Sequence, residues 1–214
     1  MKAKLISISN PLVTGINNAE ELISYCARVS NPSNQLNTET APKLLNYLIK
    51  HKHWSPFEMV SATIEIQTSR AIAAQILRHR SFSFQEFSQR YSTATDLEHI
   101  ELRKQGKTNR QVGDEPIDIG SYVELKEEMD LVQHQCVNLY NKLIDKGIAK
   151  ECARMLLPLN TQTTLYMSGT IRSWIHYIDL RATQDTQKEH REIAMEIKNI
   201  FKKHFPNIFE ALGW

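Results

Sequence analysis

The sequence predicts an α+β fold, a single domain in which a mostly antiparallel sheet packs against several helices. Two observations support this class. Some segments alternate apolar and polar residues, as strands with one buried face do, and others repeat apolar residues every three or four positions, as amphipathic helices do. No repeat, low-complexity tract or linker divides the 214 residues, so we predict one domain over residues 1–214.

Three segments predict strands, and they are residues 4–8, 59–67 and 161–167. The middle segment alternates most clearly. The side chains expected on its buried face are Val60, Ala62, Ile64 and Ile66. The last segment is rich in threonine, which is β-branched and common in strands.

Seven segments predict helices, and they are residues 20–28, 42–50, 69–79, 121–146, a stretch that ends before Pro158, 170–181 and 186–204. In the third helix, Ile72, Ile76 and Leu77 are expected to pack inward. The opposite face of that helix would carry Gln75, Arg78 and His79.

The fourth predicted helix is the longest. Ser121-x-x-Glu124 has the pattern of a capping box and would start it, and Gly147 would end it. Its apolar residues recur in steps of three and four, and they are Tyr122, Leu125, Met129, Val132, Cys136, Leu139 and Leu143. We expect this stripe to pack either in the core or at a subunit interface.

Residues 96–120 are polar and contain three glycines and a proline, so they predict a long loop. Long loops in compact domains are usually functional or mobile. Four basic residues lie close together in this one, and they are Arg103, Lys104, Lys107 and Arg110. We expect the loop to be mobile and to become ordered when anionic ligands bind.

The composition excludes several classes of function. The formal net charge is only +2, whereas proteins that coat nucleic acids or membrane surfaces usually have a basic excess. The three cysteines are too few and too scattered for a disulfide framework. The sequence has no C-x-x-C motif, so a zinc site built from cysteines is not expected. Signal-peptide chemistry and long apolar stretches are absent from the sequence, so we expect a cytoplasmic protein.

The segment from Gln75 to Tyr91 is the densest in chemically useful side chains. It combines three arginines, a histidine and a carboxylate with the rings of Phe82, Phe84, Phe87 and Tyr91. Guanidinium groups bind phosphate through paired hydrogen bonds, and planar ligand rings need flat apolar walls. The alternative is a solvated basic helix end.

Two further segments carry polar residues in apolar surroundings. The first is His51-Lys52-His53-Trp54-Ser55-Pro56-Phe57-Glu58, in which His-x-His lacks a third ligand at useful spacing, so we predict no metal site. The second starts at Ala153-Arg154 and continues through Arg172-Ser173, His176 and Leu180-Arg181.

Together these segments resemble the flavin-dependent thymidylate synthases, whose signature is R-H-R-x7-S. Arg78-His79-Arg80 and Ser88 occupy that signature here, and the resemblance extends from about Ala27 to Ala194. It implies methylation of dUMP to dTMP, with 5,10-methylenetetrahydrofolate as carbon donor and NADPH as reductant through FAD. It also implies a homotetramer whose active sites are shared between subunits.

The resemblance also implies roles for individual residues. Arg181 would be catalytic, lying against N3 and O4 of the uracil ring. The residues expected to bind dUMP are Gln75, Arg78, Glu86, Ser88, Gln89, Arg90, Arg154 and Arg181. Those expected to bind FAD are His53, Ser55, Arg78, His79, Arg80, Glu86, Arg172 and His176. The chain departs from the family pattern where it has Thr170, His176, Thr183 and Asp185.

Two other functions stay open at this point. An arginine- and phenylalanine-rich cluster could bind single-stranded nucleic acid by stacking, although the near-neutral charge argues against this. A protein of the same fold could also bind flavin without catalysing a reaction.

Overall fold

The computed structural model describes the backbone of residues 1–214 and every side chain except that of Asp114. The strands are β1 (Lys2–Ile8), β2 (Ser61–Ser69), β3 (Ser83–Glu86), β4 (Arg103–Gln105), β5 (Gly113–Pro116) and β6 (Gln162–Thr170). The helices are α1 (Ala19–Ala27), α2 (Ala41–Lys50), α3 (Arg70–Ile76), α4 (Ile119–Asp145), α5 (Lys150–Ala153), α6 (Ile171–Arg181), α7 (Lys188–His204) and α8 (Pro206–Ala211). Short 3₁₀ turns occupy Pro32–Asn34, Ser55–Glu58 and Arg154–Leu156.

The main sheet has the strand order β1-β2-β6-β3, and all of its pairs are antiparallel. The predicted α+β class and antiparallel sheet are therefore confirmed. The alternation in residues 60–66 is confirmed too, because all four apolar side chains are at most 1% exposed. Leu165 and Met167 of β6 are buried, and Trp174 Nε1 of α6 donates to the carbonyl of Ala62 at 3.1 Å. Sheet and helices thus share one core.

Helix α3 is shorter than predicted. The Ser69 hydroxyl caps its start by accepting the Ile72 amide, and the helix ends at Ile76. Ile72 and Ile76 are buried as expected, but Leu77 is 39% exposed, so its predicted inward position is wrong. Leu77 still donates its amide to the Ala73 carbonyl at 2.9 Å, but it lies about 100° around the helix from the buried Ile76 and so faces solvent.

Two features of helix α4 differ from the prediction. Its cap is Asp118, whose carboxylate accepts the Ser121 amide at 2.9 Å, so the predicted capping box at Ser121 is wrong. The apolar stripe does not enter the core of this chain, because Val132 is 56% exposed and Leu139 47% exposed. Packing of this stripe in the core of the chain is therefore wrong, and a subunit interface stays a prediction.

The predicted long loop contains regular structure. Strands β4 and β5 form a hairpin inside residues 96–120, and Leu97 makes an isolated bridge to Thr161.

No pattern in the sequence predicted α8, which begins at Pro206 and whose Ile208 amide donates to the buried Glu20 carboxylate at 2.8 Å. No helix among the described residues is long and apolar enough to cross a membrane.

Candidate active site

The signature segment leaves the end of α3, turns, and enters the sheet as β3. Phe84 pairs with Met167 and Glu86 with Leu165 of β6. Helix α6 follows β6 directly, so this pairing brings Arg172, His176 and Arg181 to the same end of the molecule as the signature. The sequence did not predict β3, because its pairing depends on a strand about eighty residues away.

An aromatic cluster supports the turn of the signature. The Phe82 ring lies 4.7 Å from the Trp174 ring and 6.4 Å from the His79 ring, between centroids. Gly169 of β6 makes room for it, since a Cβ there would lie 2.4 Å from Phe82 Cδ1. This glycine therefore lets the Phe82 ring lie directly against β6, beside His79.

Replacing Gly169 with alanine is expected to destabilise the fold by about 1 to 3 kcal/mol, because the new methyl group overlaps an aromatic ring in a packed core. Urea denaturation would measure this. Gly120→Ala is the matched control, since its Cβ would have an ordinary 3.4 Å contact with Asp118 and lies in a helix. Equal stability of Gly169→Ala and wild type would contradict the close approach.

His79 and Arg181 form the centre of the candidate site. Arg181 Nε donates to His79 Nε2 at 3.0 Å, which requires a neutral imidazole with its proton on Nδ1. Burial, together with the nearby Arg181 and His176, lowers the pKa of His79 to about 4. The resemblance implied separate ligands for these two residues, and the structure places them in contact.

His190 and Tyr177 lie beneath this pair, and sequence reasoning gave neither of them a role. His190 Nε2 is 3.0 Å from the Tyr177 hydroxyl, and its Nδ1 is 3.3 Å from Gln75 Oε1. Burial, with help from Arg181 and His79, lowers the pKa of His190 to about 3. Burial also disfavours the charged form of Tyr177 and so raises the pKa of its hydroxyl. In the sequence, His190 falls on the same helical face as Ile193, Ala194 and Ile197. This pattern predicts that His190 is buried, but it does not separate a site residue from a histidine of the core.

Glu86 is held by a residue that sequence reasoning also missed. Arg70 Nη1 lies 2.6 Å from Glu86 Oε1, and the Thr163 hydroxyl donates to the same oxygen at 3.0 Å. These contacts join the start of α3 to the end of β3. They also fix one carboxylate oxygen and leave the other for a ligand.

A groove of about 470 Å³ runs along α6 and contains part of the predicted FAD set. Arg172 and His176 line it together with Trp54 and Ser81, the neighbours of Ser55 and Arg80. Arg172 also forms an ion pair with Glu58. The aromatic wall and a volume in the usual range for ligand sites suit a flat ring such as that of FAD, and the carboxylates of Glu58 and Asp179 line the groove as well.

A second cleft lies where β3 ends. Ser88 and Arg90 line it with Tyr91 and Lys150, and it has a volume of about 420 Å³. Lys150 Nζ donates to the Tyr91 carbonyl at 3.0 Å. The exposed guanidinium of Arg90 and this ammonium group suit a phosphate. A neighbouring groove of about 480 Å³ shares Ser88 and continues to Glu86.

The remaining predicted residues are not joined to these groups. Arg78 and Arg80 are exposed and Arg154 is half-buried, and none of their side chains is hydrogen-bonded to another described side chain. His53 is exposed beside the His51 ring, and Gln89 is buried with its amide nitrogen unpartnered. Among the described residues, no three His, Cys, Asp or Glu side chains are arranged to hold a metal ion.

Comparison with known proteins decides the family. Residues 11–207 match the model of the thymidylate synthase complementing protein family. The chain belongs to this family. The resemblance inferred from the motifs is therefore confirmed.

Family relatives resemble the chain over its whole length. A probable flavin-dependent thymidylate synthase of Paramecium bursaria Chlorella virus 1 is 55% identical over 216 residues, with all of both chains covered. The flavin-dependent thymidylate synthase of Synechocystis sp. is 51% identical over 217 residues, again with full coverage of both. That of Thermus thermophilus is 34% identical over 197 residues, or 90% of this chain and 71% of the relative.

A solved structure has the same fold. The UMP/dUMP methylase PolB from Streptomyces cacaoi, bound with 5-Br dUMP, superposes with a TM-score of 0.80 at 24% identity. The match covers 99% of this chain and 94% of that one.

Proposed function

We propose that this chain catalyses the reductive methylation of dUMP to dTMP. 5,10-Methylenetetrahydrofolate would be the carbon donor, and NADPH would be the reductant through FAD. The observation that carries the proposal is the hydrogen bond from Arg181 Nε to the neutral His79, in a chain about half identical to enzymes named flavin-dependent thymidylate synthases. The names of the relatives described above favour neither nucleic-acid binding nor non-catalytic flavin binding.

Arg181 is the residue we propose to act on the uracil ring. Its Nε is engaged by His79, and within the described part of the chain its two Nη groups have no hydrogen-bond partner. A fork of two donors is therefore free to face O4 and N3 of the pyrimidine. Because guanidinium stays charged at every working pH, it stabilises the negative charge that develops when C5 becomes nucleophilic. Because His79 is neutral, it accepts the hydrogen bond from Arg181 and does not repel the guanidinium.

The nucleotide would lie between this pair and the second cleft. We propose that Gln75, Arg78, Glu86, Ser88, Gln89, Arg90, Arg154 and Arg181 bind dUMP. Arg90 sits in a cleft suited to the phosphate, and Ser88 beside it would donate a hydrogen bond. Within the described residues no histidine is hydrogen-bonded to Ser88, so no base activates it as a nucleophile.

FAD would occupy the groove along α6. We propose that its ligands are His53, Ser55, Arg78, His79, Arg80, Glu86, Arg172 and His176. When bound, the flavin supplies hydride, which no side chain can provide. The protein would orient the ring, and the ion pair of Arg172 with Glu58 would hold that guanidinium at the groove wall.

Release of tritium from [5-³H]dUMP tests the proposed function. Purified protein with FAD, NADPH and 5,10-methylenetetrahydrofolate is expected to release tritium and to form dTMP in equal amounts. A visible spectrum of the same sample separates the alternatives, because a nucleic-acid binder would stay colourless. A yellow protein that releases no tritium would point to non-catalytic flavin binding.

We propose that the enzyme is a homotetramer with active sites shared between subunits. Helix α4 exposes a row of apolar side chains at seven-residue spacing that a second copy of the chain would cover, and they are Leu125, Val132 and Leu139. The unattached Arg78, Arg80 and Arg154 are consistent with ligands held between subunits. The cytoplasmic location stays a prediction.

Replacing Val132 with glutamate is expected to shift the sedimentation coefficient from that of a tetramer to that of a smaller species. A charge in a desolvated apolar interface is costly, whereas the same charge on an exposed helix of a monomer is harmless. Asn138→Asp, at an exposed polar position on another face of the same helix, should sediment like wild type. An unchanged tetramer in Val132→Glu would exclude this face as the interface.

We propose that the hairpin region within residues 96–120 is mobile and becomes ordered when ligands bind. Arg103 is tied to Glu189 at the base of the hairpin, while Lys104, Lys107 and Arg110 are exposed. Amide hydrogen exchange over residues 106–112 is expected to slow when NADPH or 5,10-methylenetetrahydrofolate is saturating. Strand β2 is the internal control. Equal protection of the hairpin with and without every ligand would disprove the coupling.

A further inference from the structure

A line of polar side chains leads from the candidate active site to the β4–β5 hairpin. It passes from Tyr177 to His190 (3.0 Å), to Gln75 (3.3 Å), to Gln187 (2.7 Å) and to Glu189 (2.9 Å). Glu189 is ion-paired with Arg103 at the start of β4. Most of this line is buried or half-buried, and it joins three helices to the hairpin.

The direction of these hydrogen bonds is set at the hairpin end. Burial acts to raise the pKa of Glu189, but hydrogen bonds from Arg103, its own backbone amide and Gln187 outweigh burial and hold the pKa below its usual range. Glu189 is therefore a carboxylate and only accepts. Gln187 must turn its amide nitrogen toward Glu189, which leaves its oxygen facing the amide nitrogen of Gln75.

The same direction continues to the imidazole. With its nitrogen used by Gln187, Gln75 presents its oxygen to His190 Nδ1, which must carry the proton. His190 Nε2 is then an acceptor, and the Tyr177 hydroxyl donates to it. The Tyr177 ring in turn supports His79, with 4.9 Å between ring centroids in an edge-to-face contact. His79 accepts the hydrogen bond that orients Arg181.

We propose that Gln187 and Glu189 are positioning residues, which fix the tautomer of His190 and so hold His79 and Arg181 in place. Arg103 makes this arrangement depend on the docked hairpin. The kinetic consequence rests on the proposed function, whereas the tautomer of His190 does not. Cooperative hydrogen-bond chains in a dry interior resist reorientation, so one ionised end group can set the whole line.

Nitrogen-15 NMR of histidine-labelled protein tests this directly. In wild type, His190 is expected to show a protonated Nδ1 and an unprotonated Nε2. In Glu189→Gln the near-isosteric amide can donate as well as accept, so His190 should show a mixture of tautomers. Glu192→Gln, an exposed neutralisation on the same helix, is the control and should retain the wild-type pattern and rate.

Steady-state kinetics supply the second readout. Glu189→Gln is expected to lower kcat for dTMP formation about tenfold or more, with KM for dUMP within about twofold, because misplacing Arg181 by a fraction of an ångström affects the transition state most. An unchanged His190 tautomer in Glu189→Gln overturns the proposal, and so does a mixed tautomer with unchanged kcat. If wild type makes no dTMP, the proposed function fails while the NMR result still decides the tautomer.

Discussion

Replacing Arg181 with lysine is expected to lower kcat for dTMP formation by about a hundredfold or more, while the Kd for dUMP rises less than about fivefold. Arginine uses Nε to bind His79 and keeps two Nη groups for the substrate. Lysine has the charge but only one nitrogen, so it cannot bind His79 and fork toward O4 and N3 together. The loss should fall on the transition state, where charge develops on the pyrimidine.

The matched control is Arg191→Lys. Arg191 is also half-buried, and it bonds only Gln184 on the surface of the molecule, so its replacement should change neither parameter. Isothermal titration with dUMP and the tritium assay measure the two quantities separately. If affinity and turnover fall by the same factor in Arg181→Lys, the arginine is an anchor for the nucleotide and has no special role in its activation.

Three of the four strands of the main sheet and most helix bounds were predictable because they follow from local periodicity. The alternation of residues 60–66 places four side chains in the core whatever the rest of the chain does. The partner of an apolar face is not local information. For that reason the stripe on α4 was visible in the sequence, whereas its absence from the core of this chain was not.

The candidate site was predictable as a set of residues but not as a geometry. The signature motif singled out His79, and a separate segment singled out Arg181, yet their contact needs β6 to carry α6 beside the signature. Arg70 was missed because a lone arginine at a helix start looks like ordinary surface charge. His190 was missed because its role depends on hydrogen bonds to Tyr177 and Gln75, and only the tertiary structure brings these residues together.

Acidification is expected to destabilise the protein before any ordinary carboxylate is protonated. The pKa values of His79 and His190 in the fold are about 4 and about 3, against 6.5 for a free histidine. Below pH 6.5 the unfolded chain therefore binds a proton at each position and the folded chain does not. Stability is fully present above pH 6.5 and is lost as the pH falls toward 4.

Between pH 7 and pH 5 the free energy of unfolding should fall by on the order of 1 to 2 kcal/mol for each of these histidines. Carboxylates whose pKa the fold lowers, such as Glu189, lose their contribution only below about pH 4.5 and lie outside this window. Burial raises the pKa of Glu20, which gives the opposite slope and partly offsets the histidines.

The difference in unfolding free energy between wild type and His190→Gln isolates the contribution of His190. The contribution of Glu20 cancels in this difference, because Glu20 titrates equally in both proteins. The variant should be less stable than wild type at pH 7, yet its stability should depend on pH less steeply, by about 1 kcal/mol per pH unit between pH 6 and pH 5. Urea denaturation at fixed protein concentration measures both slopes, since the assembly makes midpoints concentration-dependent. His204→Gln, at an exposed position of the same helix, should keep the wild-type slope. Parallel slopes for His190→Gln and wild type would mean that His190 is already protonated in the fold, and its neutral contact with Tyr177 would then be wrong.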